Sequence, residues 1–178
     1  GLSYEKEVRC LEEKMIKQLY HQYGKELFLY LYSMCQQKEL AEDLLQETFL
    51  KAILALPEYH TNMRAWLYKV ARNLFYNLYK RNRREICDEE YLKKISKLEV
   101  DEFLEEYISK QETRILYTAM QKLSPVKREV LELQYFGQMP LKEIANVLQL
   151  SQENVRVLSH RAKKDLKKLM EVEGYEVP

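Results

Sequence analysis

Residues that make turns are scarce in this chain. Of its 178 residues only 4 are Gly and 4 are Pro, too few for an architecture of many short strands joined by tight turns. Cysteine is scarce as well. Cys10, Cys35 and Cys87 are odd in number, far apart and never in a C-x-x-C arrangement, which argues against a disulfide framework and offers no zinc-ligand spacing. Free thiols in a reducing compartment are the expectation. The three histidines, His21, His60 and His160, are scattered, and no nucleophile–base pair, phosphate-cradling Gly loop or metal-ligand spacing accompanies them. Covalent catalysis, a cofactor, a bound metal and a small-molecule substrate are therefore not expected. No run approaches the roughly 18 apolar residues of a membrane span, and no signal-peptide pattern opens the chain. Direct membrane insertion is not expected, and a cytoplasmic location is.

What remains is rich in Leu, Glu, Lys and Tyr, with 46% hydrophobic residues to fill cores, and it favours helix throughout. The expected fold class is all-α: two small helical domains joined by an acidic linker, the C-terminal one containing a helix-turn-helix.

Charge marks the division. The formal net charge is only +1, from 29 Lys+Arg against 28 Asp+Glu, yet the signs are segregated. Lys69 to Arg84 holds six cations and no acid; Glu85 to Glu112 holds ten acids against four lysines; Arg156 to Lys168 holds six cations against one acid, Asp165. Solvated faces of a single domain can produce such runs, but two basic blocks flanking an acidic one also suit two nucleic-acid-facing modules on a connector. The helical punctuation favours the second reading and sets the boundaries at 10–84, 85–111 and 112–171.

In the first block Leu27, Phe28, Leu31, Tyr32 and Cys35 recur at helical spacing, as do Leu44, Leu45, Phe49, Ala52, Ile53 and Leu56. Pro57 should end that second helix, having no N–H to donate. A third helix follows from Arg64 to about Arg83, with Leu67, Val70, Ala71, Leu74 and Leu78 as its buried stripe. Of its aromatic residues Tyr68, Phe75, Tyr76 and Tyr79, at least half should be core, and Trp66 with them. In the last block Ser124 suits an N-cap, Pro125 the first helical position and Gly137 the end of a helix; Pro140 can start the next, and Ser151 can cap the final one, which should run to about Met170.

The stretch "VLQLSQENVRVLSHRAKKDLKK", Val147 to Lys168, concentrates the cations. On a helix from Gln152, residues Val155, Leu158, Ala162, Leu166 and Leu169 share an arc of about 80°, and Arg156, His160, Lys163 and Lys167 lie roughly opposite. Counted from Leu141, the apolar positions Ile144, Leu148, Leu150, Val155 and Leu158, with small Ala145 allowing close approach, meet the packing needs of a helix-turn-helix. Its turn position, where Gly is usual, is Gln149, at a cost of about 1 kcal/mol if φ is positive there. The second helix of such a motif enters the major groove by its N-terminal turns. The cations thus point to DNA.

With those motifs in view, the chain resembles the bacterial sigma factors of the extracytoplasmic-function group across nearly its whole length. The likeness rests on "AEDLLQETFLKA" (Ala41 to Ala52), "WLYKVARNLFYNLYKR" (Trp66 to Arg81), "LSPVKREVLELQYFGQMPLKEIANVLQLS" (Leu123 to Ser151) and "VRVLSHRAKKDL" (Val155 to Leu166). The resemblance implies an alternative sigma factor that recruits core RNA polymerase to promoter DNA and is commonly held by an anti-sigma factor. It implies that Asp43, Gln46, Glu47 and Lys51 dock on polymerase, though Asp43 and Glu47 are also what an ordinary solvated face would show. It assigns the minus-10 element to Tyr59, His60, Thr61, Asn62, Arg72, Asn73, Tyr76, Asn77 and Lys80, where an extruded base could be held. It assigns the minus-35 element to Gln152, Asn154, Arg156, Val157, His160, Arg161 and Lys164. The rival reading is a stand-alone helix-turn-helix regulator with an N-terminal dimerisation or sensing domain. The basic, aromatic-laced first block counts against it.

Overall fold

A computed structural model of the protein describes residues 1–54, 62–81, 106–172 and Gly174. Among these, all regular structure is helical: α1 (Leu2–Cys35), α2 (Lys38–Leu54), α3 (Met63–Arg81), α4 (Gln111–Met120), α5 (Pro125–Tyr135), α6 (Leu141–Leu148) and α7 (Gln152–Val172). The chain divides into two compact units, Gly1–Leu92 and Lys93–Pro178. Pro57, Cys87 and the acidic residues 85–105 lie outside the described residues.

The first unit packs α1, α2 and α3 mutually. Its core follows most of the helical stripe read from the sequence: Leu27, Phe28 and Leu31 of α1, Leu45 and Phe49 of α2 and Leu67 of α3, with Tyr68 beside it, are essentially without solvent contact, whereas Ile53, Val70 and Leu78 are only half-buried. The Tyr30 and Tyr68 rings meet tilted, 5.0 Å between centroids, an arrangement that suits their quadrupoles. Burial pushes the Cys35 thiol up to about 11, so it stays protonated at neutral pH and behaves as a small core side chain. Helix α1 ends where Gln36 adopts a left-handed conformation, φ 55°, and its N–H reaches the Tyr32 carbonyl. The start of α1 differs from the expected domain boundary at residue 10: the helix begins at Leu2, and its first turns are largely exposed.

In the second unit α4, α5 and α7 close around Ala119, Met120, Leu123, Leu131, Ala162 and Leu166. Ile108, which the sequence reading placed in the linker, is buried. Ser124 and Pro125 take the N-cap and first helical positions of α5, though the Ser124 hydroxyl makes no capping bond. Pro140 starts α6 as expected, at its N-cap. Gly137 follows α5, but its φ is not positive. The left-handed residue is Gln138, φ 49°, and Gly137 is required because a Cβ there would come within 2.7 Å of the Leu133 carbonyl oxygen.

Candidate nucleic-acid interface

The helix-turn-helix is formed by α6 and α7. Ile144, Ala145, Leu148 and Val155 are buried, and Leu141, Leu150 and Leu158 half-buried, as the spacing requires. Between the helices Gln149 has φ 56° and ψ 44°. A Gln is therefore held where Gly would be relaxed, at a strain of roughly 1 kcal/mol. The Gln149 N–H satisfies the end of α6, and the Leu150 N–H reaches the Ala145 carbonyl at 3.0 Å. The next helix opens on a real cap, with the Asn154 N–H donating to Ser151 Oγ at 3.1 Å.

Two polar links hold α7 on α5, 25 and 38 residues away in sequence. The buried Ser159 hydroxyl donates to Gln134 Oε1 at 2.7 Å, and Lys127 Nζ bonds Asp165 Oδ2 at 2.6 Å. The hydrogen bond from Lys127, with the positive charge of Lys127, Lys168 and Lys164, holds the Asp165 carboxyl below its ordinary value. These positioning residues carry no periodic signal, and the sequence reading missed them. With Val155, Ser159, Ala162 and Leu166 turned inward, Gln152, Asn154, Arg156, Val157, His160, Arg161 and Lys164 are all exposed. The structure thus leaves every residue that the resemblance assigned to the minus-35 element accessible, spread over the part of α7 turned away from its core.

Helix α3 divides the same way. Leu67, Tyr68, Ala71, Leu74 and Phe75 are buried, while Lys69, Asn73, Asn77, Lys80 and Arg81 are exposed and Arg72 and Tyr76 half-buried. No acidic residue occurs anywhere in α3. The Arg72 guanidinium lies 4.5 Å from the centre of the Tyr76 ring, a cation–π distance. Tyr68 and Phe75 are core and Tyr76 and Tyr79 are not, which meets the expectation for half of these rings. Trp66 is only half-buried, against the expectation that it joins the core. Asn62 has a local duty that the sequence reading overlooked: its Oδ1 accepts from the Ala65 N–H at 3.1 Å and caps α3. Tyr59, His60 and Thr61 lie outside the described residues.

The start of α3 is pinned to α1 by Arg64, whose Nε lies 2.9 Å from Glu26 Oε1 and whose guanidinium stacks over Tyr23 at 5.3 Å. Burial raises the Glu26 carboxyl above its ordinary value, against the opposing pull of Arg64 and Tyr68. On α2, Asp43, Gln46, Glu47 and Lys51 are exposed together, and Leu50 and Leu54 stand out among them at 54% and 83% exposure. That face is accessible for docking. Among the described residues no group of three or more His, Cys, Asp or Glu side chains is arranged to hold a metal, and no helix is long and apolar enough to cross a membrane.

Fold and surface together define a protein with two helical modules, one presenting a basic amide-bearing helix and the other a helix-turn-helix. Comparison with known proteins gives the class its name. Sigma-70 region 2 matches residues 19–85, and sigma-70 region 4 matches residues 113–166. The RNA polymerase sigma factor YlaC of Bacillus subtilis is 35% identical over 161 residues, covering 87% of this chain and 91% of that relative. The extracytoplasmic-function sigma factor SigM of the same organism is 31% identical over 155 residues, covering 86% and 94%. Among solved structures, CnrH in complex with the cytosolic domain of CnrY is 25% identical with a TM-score of 0.59, covering 91% of each chain. The sigma factor RpoE in complex with the anti-sigma factor NepR, from Bartonella quintana, shares the fold with a TM-score of 0.65 at 21% identity, covering 89% of this chain and 98% of that one.

The chain belongs to the extracytoplasmic-function group of the sigma-70 family, alternative sigma factors that bind core RNA polymerase and direct promoter-specific initiation. The rival of a stand-alone regulator is thereby set aside.

Proposed function

We propose a division of labour among three exposed helix faces. Asp43, Gln46, Glu47 and Lys51 of α2 dock on core polymerase. Arg72, Asn73, Tyr76, Asn77 and Lys80 of α3, with Asn62 and the preceding loop residues Tyr59, His60 and Thr61, take up the minus-10 element as it opens. Gln152, Asn154, Arg156, Val157, His160, Arg161 and Lys164 of α7 read the minus-35 element. The observation that carries this reading is α3: a helix without an acid, whose exposed side sets two amides, Asn73 and Asn77, between cations and beside a half-exposed aromatic ring. Amides can hydrogen-bond an unpaired base edge, cations neutralise phosphates, and a ring offers a stacking platform. Asn73, Asn77 and Lys80 are exposed and take no part in the core.

The protein performs no covalent step in this reading, works in the cytoplasm, and is held in reserve by an anti-sigma factor of the general kind found on its structural neighbours. Reconstitution with core polymerase on genomic DNA, followed by transcript mapping, tests it. Transcripts should start downstream of a shared pair of elements, and start sites no different from those of core polymerase alone would refute it. The purified protein by itself should bind duplex DNA weakly, because each module offers few contacts.

A further inference from the structure

Helix α1 runs well beyond the bundle that it helps to build. Its buried residues begin at Gly24, and the region 2 match begins at residue 19, so the turns before that point lie outside both the core and the matched domain. They are not uniformly polar. At 100° per residue Tyr4, Val8, Leu11, Met15 and Leu19 fall within an arc of about 80°, at the 4-3-4-4 spacing of a seam that packs against another helix. Tyr4, Leu11 and Met15 are 71%, 60% and 39% exposed, and Val8 and Leu19 only half-buried. Glu5–Arg9 and Glu13–Lys17 stand four apart with the acid first, a spacing that supports a helix lacking tertiary contacts. The surface is thus preformed.

Charge says what covers it. On the helical projection Glu5 and Glu12 border the stripe on one side, and Glu7 with Lys14 on the other; Lys6, Arg9 and Lys17 fall on the far side. The margins carry three carboxylates and one ammonium. We propose that Tyr4 to Leu19 of α1 is a docking site for an amphipathic helix of a partner protein whose own apolar stripe is flanked by Lys or Arg. A second copy fits worse. Parallel pairing sets Glu7 against Glu12 of the other copy, and antiparallel pairing sets Glu5 against Glu12, offset only by Glu7 against Lys14. An anionic lipid surface fits worse still, because helices that lie on membranes border their apolar face with cations. This site is independent of the polymerase and promoter assignments.

The test uses the full chain and two synthetic helices with the same Leu stripe, one flanked by Lys and its twin by Glu. Fluorescence anisotropy at physiological salt should show binding of the Lys-flanked helix and binding weaker by about tenfold or more for the twin. The Leu11→Ser/Met15→Gln variant should lose about tenfold in affinity, with its DNA and polymerase binding unchanged. Reversal at the margins, Glu5→Lys/Glu12→Lys, should shift the preference toward the Glu-flanked helix. Failure of the Lys-flanked helix to bind, equal binding of both, or indifference to the stripe variant overturns the proposal. So does a dimer in sedimentation equilibrium that the stripe variant abolishes, which would assign the face to a second copy. Binding to phosphatidylglycerol vesicles that is lost in the variant would assign it to lipid instead.

Discussion

Leu166→Ala tests whether the two units stand on their own cores. Leu166 is 5% exposed and packs with Met120, Leu123, Leu131 and Ala162 where α4, α5 and α7 meet. Truncating a leucine so enclosed removes its transfer free energy and leaves a cavity, at a combined cost of about 2–5 kcal/mol. A unit of this size has roughly 3–10 kcal/mol to lose, at 0.05–0.15 kcal/mol per residue. Its melting transition should therefore fall by about 10 °C or more. The chain provides its own reporter for the other half, since its single tryptophan, Trp66, is in α3. Trp66 fluorescence follows the first unit, and far-UV circular dichroism follows both. In the variant the dichroism melt should gain an early component while the Trp66 transition stays in place. A Trp66 transition that moves down with it would mean that the chain unfolds as one cooperative body, and the two-core reasoning would fail.

Further outcomes follow from the interface. Arg156→Ala and Arg161→Ala should each weaken minus-35 recognition by about 1–3 kcal/mol where the side chain contacts a base edge, and Lys167→Ala should cost little on any sequence; equal losses on specific and scrambled promoters, measured with holoenzyme, would reduce α7 to a source of charge. Asn73→Ala should slow promoter opening more than closed binding, and on a pre-melted minus-10 template it should still discriminate poorly among bases at one position; normal discrimination there would move the pocket elsewhere on α3. Acid should act oppositely on the two units. The lowered Asp165 contributes stability that is present above the ordinary carboxylate range and lost as pH falls through its folded value, a dependence that Asp165→Asn should remove. The raised Glu26 favours its unit when protonated, and that contribution is lost as pH climbs from the ordinary 4.5 through the folded value. Glu26→Gln should flatten that part of the Trp66-detected stability profile.

Much of this architecture was legible because burial in a helical bundle is periodic. Leu27, Phe28 and Leu31, or Val155, Ala162 and Leu166, announce their faces by spacing alone, and the helix-turn-helix followed from the distances between Ile144, Ala145, Leu148 and Val155. Long-range polar contacts are not periodic, so neither Arg64–Glu26 nor Ser159–Gln134 had any signal to read. Asn62 did have one, as an amide directly before a helix with the residue three further on offering an N–H; the interest of its neighbourhood as a DNA contact obscured the cap. Gly137 shows a different limit. Its place at a helix end suggested a left-handed residue, yet Gln138 takes that conformation. Which of two adjacent residues turns left is decided by where the chain must go next, here to buried Met139.

The first turns of α1 did carry a signal, because Tyr4, Val8, Leu11, Met15 and Leu19 recur at helical spacing, but that stripe stays largely exposed and marks no part of the core. The same separation of fold from surface governs α3 and α7. Each gives one side to the core and leaves the other with no structural duty, so Asn73→Ala and Arg156→Ala should change stability by no more than about 0.5 kcal/mol, and functional losses can be attributed to DNA. Tyr76 is the exception. Its ring face already carries the Arg72 guanidinium, and a base cannot stack where a cation sits. If Tyr76 stacks on a base as proposed, promoter opening must either use the other face of the ring or swing Arg72 away toward a phosphate. The second course converts a contact of the free protein into one with the nucleic-acid backbone, at the moment when the strands separate.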